Sequence, residues 1–190
     1  MKRIAKYLKR IGLSILVLTL LCIIFRGPLY RLLVSYSVAG KRQQYTVRDK
    51  RFSAYLDSTT TGFRPADVRD LIRLSLKITA KRLNYTASRN DNDPNRLFQS
   101  KNAHCVGYAA FFSTTCNYLL DKFGYSKDWK SEPIVGLISF FGVNVHSYFE
   151  SPFFKDHDFC RIANPKTGEQ YYVDPTVHDY VDIDFVRSGN

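Results

Sequence analysis

The hydrophobic period changes once along this chain, after Gly124, from helical spacing to strand alternation. In "TTGFRPADVRDLIRLSLKITAKRLNY" the residues Val68, Leu71, Ile72, Ile78 and Leu83 recur at helical intervals behind Thr and Pro65, which predicts a helix over 65–83. A second helix is expected from Asn102, as N-cap, to a stop before Gly124, which suits a left-handed C-cap. Cys105, Ala109, Phe112, Cys116 and Leu120 fall on one face of it. Beyond it, "PIVGLISF" (133–140), "VNVHSYFE" (143–150), "DFCRIAN" (158–164) and "EQYYVD" (169–174) alternate and read as strands, with "NPKTG" (164–168) as a hairpin turn. Helices followed by an antiparallel sheet make an α+β fold. With 190 residues and 45% hydrophobic content, the chain has room for one domain with a real core, and it carries no internal repeat.

The charge of +11 raises nucleic acid as a partner, and its distribution argues against one. Residues 1–50 hold eleven Lys/Arg and one acid, whereas the remaining 140 hold seventeen Lys/Arg and sixteen acids. The globular part is nearly neutral, and the basic excess flanks the uncharged stretch "IGLSILVLTLLCIIF" (Ile11–Phe25). Fifteen residues reach roughly 22 Å as a helix, short of a ~30 Å hydrocarbon core unless Lys9, Arg10 and Arg26 snorkel. A cleaved signal peptide is the competing reading, but its small-residue site at Ser37-Val38-Ala39 lies well downstream of the apolar core. The expected organisation is a basic flank (1–10), a transmembrane signal-anchor (11–25), a membrane-proximal spacer (26–60) and one domain (61–190). Five positive residues precede the segment and two follow closely, so the domain is expected on the extracytoplasmic side of a single-pass protein.

With Cys22 in the apolar segment, Cys105, Cys116 and Cys160 remain, an odd number that leaves at least one thiol free. Cys105 and Cys116 are eleven positions apart, about 16 Å along a helix, too far to bridge. The loop "TASRNDNDPNRL" places Asp91 and Asp93 as in a calcium loop but lacks its central Gly and distal Glu, so turn residues explain it better. His157, Asp158 and Cys160 offer too few ligands at too poor a spacing for a metal.

Cys105 is the candidate nucleophile, because the first turn of a helix presents free N–H groups and a positive dipole end that favour a thiolate. Cys116, mid-helix, gains neither, and reads as a buried apolar residue. Of the four histidines, His104 is adjacent in sequence and so faces elsewhere on a helix, and His157 and His178 lie in polar, turn-like segments. His146 stands in an alternating strand. Asp174 ends another, in "YYVDPT", where an aspartate before proline is commonly a turn former.

The stretches "HCVGYAAFFSTTCNYLLDKFGY", "VNVHSYFE" and "EQYYVDPT", in that order, resemble the transglutaminase-like superfamily, whose papain-like fold sets a cysteine at a helix start and a histidine and aspartate on adjacent strands. Two positions depart from its pattern: His104 stands where a glycine often precedes the cysteine, and Tyr148 where Trp usually follows the histidine. The resemblance covers residues 64–180 and implies a papain-like core, its nucleophile helix packed on an antiparallel sheet and preceded here by the N-terminal transmembrane helix. It implies Cys105 as nucleophile, His146 as base and acid, and Asp174 as the group that orients the imidazole. The Cys105 N–H is the default oxyanion donor, with Gln99 or Asn102 as the assisting side chain, Gln99 by its papain-like spacing.

The expected function is a membrane-anchored cysteine enzyme that attacks a peptide or amide bond in a peptide or protein substrate through a thioester. Hydrolysis is favoured over acyl transfer by analogy with short, single-domain members. No cofactor and no metal are implied. The alternative is a non-catalytic module that retains the fold and binds a peptide or cell-wall fragment, and the mutual geometry of thiol, imidazole and carboxylate separates the two.

Overall fold

A computed structural model describes residues 2–88 and 90–189, with side chains of the first helix from Tyr7 onward except Leu8. In chain order the helices are α1 (Lys2–Ile24), α2 (Arg26–Leu33), α3 (Lys50–Thr59), α4 (Val68–Arg82), α5 (Pro94–Ser100), α6 (Cys105–Lys122) and α7 (Pro175–Val181). The strands are β1 (Val34–Lys41), β2 (Asn84–Tyr85), β3 (Asn102–Ala103), β4 (Lys130–Phe140), β5 (Val143–Asn144), β6 (His157–Ala163) and β7 (Gln170–Val173). The fold is mixed α+β: helices packed on an antiparallel sheet of order β1-β4-β6-β7, with β5 added to β4 and a separate parallel pair, β2-β3.

Local chemistry starts the helices where the sequence suggests. Asp67 caps α4 by accepting from the Arg69 and Asp70 N–H groups, and Asp93 caps α5 ahead of Pro94 at its first position. Asp91 accepts from the Asp93 N–H and pairs with Arg96, so the calcium-like loop consists of helix-entry turns. Gly124 sits at φ +80°, as a left-handed stop requires. Asn102 is not the cap of α6, since it belongs to β3; His104 takes that place, its Nδ1 accepting from the Val106 N–H at 3.3 Å.

The main core lies between α4, α6 and the sheet. Leu71, Ile72 and Leu76 of α4 meet Phe111, Phe112 and Leu119 of α6, all fully buried. Cys160 on β6 donates its S–H to the Ala109 carbonyl at 3.2 Å, setting the helix against the strand. A smaller cluster of Val34, Tyr36, Ile134, Phe159 and Val186 covers another part of the sheet. A Cβ at Gly136 would stand 2.2 Å from the Phe159 ring, so that close approach needs glycine.

Two expectations change here. Residues 26–60 are not a spacer: β1 pairs with β4 from Val34↔Phe140 to Lys41↔Ile134, and Phe52 and Leu56 of α3 are buried in the main core. Residues 143–150 are not one strand. After β5 the chain turns into a 3-10 helix, Val145–Tyr148, and a second follows at Pro152–Phe154. The reason is occupancy of the edge: β5 pairs with Ser139 and Phe140, and from Gly136 back to Lys130 the same edge of β4 is held by β6.

Ile11–Ile24 forms the second half of α1 and is exposed throughout. Among the described residues no single helix is long and apolar enough to cross a membrane; Lys9–Ile24 and Arg26–Leu33, bent by 77°, meet that test only as a pair.

Candidate active site

Cys105 opens α6, 8% exposed, with the Tyr108 N–H closing the first turn onto the His104 carbonyl. Asp174 follows the last residue of β7 and caps α7: its Oδ1 accepts from the Thr176 N–H at 3.0 Å and the Val177 N–H at 3.2 Å. Its Oδ2 accepts from His157 Nε2 at 2.6 Å and from the Tyr36 hydroxyl at 2.8 Å. Tyr36 in turn is 2.6 Å from the Tyr30 hydroxyl, which must donate, because Tyr36 gives its own proton to the carboxylate. A fully buried carboxylate thus has four donors, enough to keep it charged.

The imidazole between Asp174 and Cys105 belongs to His157, not to His146. Burial alone would lower the pKa of His157; the charge and hydrogen bond of Asp174, joined by the side-chain interaction with Cys105, instead hold it well above 6.5. Burial pushes Asp174 up, and His157, Tyr36 and the helix N–H groups more than reverse this, leaving its carboxyl below the usual 3.8. The ring offers Nε2 to Asp174, which leaves Nδ1 for the sulfur. The Cys105 side chain interacts with this ring by hydrogen bond and charge.

His146 is placed elsewhere. It is 7% exposed in the first 3-10 turn, and its Nδ1 is 2.7 Å from the Phe154 carbonyl. A carbonyl can only accept, so Nδ1 carries the proton and ties the two 3-10 turns together, while Nε2 is buried with no hydrogen-bond partner among the described residues. Gln99 is also otherwise engaged, donating its amide to Asp49 Oδ2 at 2.9 Å on the exposed side of α5. Asn102 is exposed. Among the described residues, neither side chain has a hydrogen bond to the Cys105 sulfur.

The sequence carried a signal for His157 that composition obscured. The β6–β7 hairpin pairs Ala163↔Gln170 and Cys160↔Val173, a register set by the 164–168 turn. Continued by one step it puts Phe159 opposite Asp174, and His157, two residues on, shares that face as a diagonal neighbour. "FFKDHD" reads as a polar turn, but β6 begins at His157 itself, paired with Gly136. Next to it Asp158, fully buried, accepts Arg42 Nε at 2.8 Å and Nη2 at 3.0 Å, a bidentate clasp that locks the strand start. Tyr36 was hidden in the expected spacer.

His157, Asp158 and Cys160 turn to Asp174, Arg42 and the Ala109 carbonyl respectively, so they form no shared metal site. His178, Asp182 and Asp184 bring ligand atoms within 4.8 Å of one another, but Arg26 pairs with Asp182 and Arg73 with Asp184. A cavity of about 180 Å³ borders the first turns of α6, lined by Arg42, Gln43, Tyr45, Asn92, Val106 and Ala110.

Comparison with known proteins adds no family: no family model matches the chain, and no curated protein matches it.

The three thiols of the globular part differ in access. Cys116 and Cys160 are fully buried, and burial pushes the Cys116 thiol up to about 12. Limiting iodoacetamide at neutral pH should therefore modify Cys105 at least about tenfold faster than either. Peptide mapping with equal rates in the folded protein would remove Cys105 as the reactive thiol.

Proposed function

We propose that this chain is a membrane-anchored, transglutaminase-like cysteine enzyme acting on a peptide or amide bond, with Cys105, His157 and Asp174 as its triad. The observation that carries the reading is one half-buried imidazole held between a carboxylate at 2.6 Å and the sulfur at a helix start. The chain order of cysteine, histidine and aspartate is the order in the family the sequence resembles. In the proposed cycle the Cys105 proton resides on His157, the sulfur attacks the carbonyl carbon, and the C=O electrons move onto oxygen, met by N–H groups of α6. Collapse expels the amine, which takes its proton from His157 Nδ1, and leaves a thioester. Water, giving a proton back to His157, then attacks the thioester and releases the acid; an amine in its place would make a transferase. Asp174 and Tyr36 touch no reacting atom in this scheme, and they hold the ring and its charge.

The N-terminal helix is proposed as the anchor, with the domain on the extracytoplasmic side, supported by the apolar Ile11–Ile24 surface and its basic flank. One preparation tests both halves. Full-length protein recovered from membranes after alkaline carbonate washing, then treated with a p-nitrophenyl acyl ester, should show a single acyl adduct that maps to Cys105. A washed membrane free of the chain removes the anchor; an absent adduct on reduced, folded protein removes the enzyme and favours a binding module.

A further inference from the structure

The polypeptide between β4 and β6 exposes more aromatic surface than a soluble loop needs. Phe140 is 47% exposed, Phe141 70%, Tyr148 75%, Phe149 44% and Phe154 46%, with Val143 beside them at 50%. Phe141 and Gly142 form the two-residue turn between the paired residues Phe140 and Val143, with φ of +50° and +80°. Both angles are positive, as in the type I′ hairpin turn that favours Asn-Gly. A phenylalanine in the left-handed region, with its ring in solvent, is unfavourable on two counts. Its ring meets the Phe140 ring edge-on at 4.7 Å between centroids, and Phe140 is itself exposed.

The position of this tip explains it. The Phe141 N–H donates to the carbonyl of Leu33, the last residue of α2, at 2.9 Å. The hairpin tip therefore meets the chain where it arrives from the apolar helix. α2 itself is fixed to the body on one side, through Arg26 to Asp182 and Arg31 to the Phe185 carbonyl. Its Leu32 is 69% exposed, and Ile11–Ile24 of the preceding α1, set at 77° to α2, is exposed and apolar. Aromatic rings on short turns beside a membrane segment are the side chains that settle at a lipid–water interface.

We propose that Leu32, Phe140, Phe141, Tyr148, Phe149 and Phe154 form a membrane-docking surface that seats the domain on the lipid interface beside its anchor. The inference rests on the anchored reading above and adds to it a second, peripheral contact. His146 then has a use other than catalysis, since its bond to the Phe154 carbonyl holds the two aromatic turns together. Phe153, in the same turn, meets the His104 ring edge-on at 6.0 Å between centroids, so the docked surface lies next to the cap of the Cys105 helix. A seated domain would present its site to acyl groups held at the bilayer surface rather than to the bulk solution.

The single tryptophan makes the test direct. Trp129 immediately precedes the eleven-residue β4, whose far end is Phe140, about 33 Å away at the rise of a strand. The full chain, reconstituted in phosphatidylcholine vesicles, is floated on a density gradient and its fluorescence compared with that in vesicles brominated near the carbonyl end of the acyl chains. Phe141→Trp should add a blue-shifted emission that bromolipid quenches about twofold or more, while wild-type Trp129 emission changes little. Tyr148→Trp, at the most exposed of these positions, serves as an independent reporter should the strained turn reject indole. A chain that floats with vesicles but whose indole at 141 and at 148 is quenched no more than Trp129 overturns the docking surface and leaves the anchor standing. A chain that does not float overturns the anchor, and this inference with it.

Discussion

Cys105→Ala and His157→Ala should each abolish acylation by an activated ester, whereas His146→Ala should acylate at close to the wild-type rate. The sizes follow from what each group holds. Removing the sulfur removes the atom that bonds to the acyl carbon. Removing the His157 ring takes away the proposed proton acceptor together with its hydrogen bond to Asp174. For residues acting as such a unit the expected loss is on the order of 10³-fold or more for either single variant, and the double variant should be scarcely worse. His146 bonds the Phe154 carbonyl, so its loss should loosen the aromatic turns without touching the chemistry. Stopped-flow acylation, with circular dichroism to confirm folding, separates the cases. Full acylation in folded His157→Ala, or its loss in folded His146→Ala, would return the base to His146 or to another site.

Asp174 should matter twice, for turnover and for stability. Asp174→Asn keeps the shape and an oxygen for the helix cap but loses the charge opposite the imidazolium, so turnover should fall roughly 10²- to 10⁴-fold. Asp174→Ala also uncaps α7 and leaves the buried Tyr36 hydroxyl without its acceptor, an expected cost of about 2–5 kcal/mol in unfolding free energy. Tyr36→Phe, which removes one donor from a carboxylate that keeps three others, should cost less. The pH dependence carries the same signature. The Asp174 pKa is lowered, so its contribution is present above the ordinary 3.8 and is lost as pH falls through the lowered value. The His157 pKa is raised, so its contribution is fully present below 6.5 and is lost as pH climbs through the raised value. Wild-type stability should therefore decline at both ends, and Asp174→Asn should flatten both limbs. Denaturant titrations across that range check it; identical pH profiles would mean that the pair contributes nothing to folding.

Much of the architecture was legible in residue order because helices and strands impose local periods. Val68, Leu71, Ile72, Ile78 and the run from Cys105 to Leu120 repeat at helical spacing, and the buried faces of α4 and α6 follow from that. The Asn164–Gly168 turn joins β6 to β7, and Cys105 and Asp174 stand at a helix start and a strand end where the pattern breaks. Each of these is a statement about residues a few positions apart, over which backbone geometry is fixed by local sterics and hydrogen bonding.

What tertiary structure alone decided was which histidine meets that pair, and which remote segments complete the sheet. "VNVHSYFE" alternates like a strand, but a strand needs a free edge, and β6 occupies the part of it, Gly136 and Val135, that Ser147 and Tyr148 would have reached. Local propensity cannot register that competition, because the competitor arrives from about ten residues downstream. For the same reason β1 reads as spacer until β4 is beside it, and Tyr36 acquires a partner, Asp174, 138 positions away only when both strands are in place. The composition of "FFKDHD" marks it as polar, and polarity near a turn says nothing of what will close over it. His157 became the ring that meets Asp174 because Asp174, Cys105 and Tyr36 converge on it, and convergence is a property of the packed chain, set by strand register and helix placement rather than by any short stretch of residues.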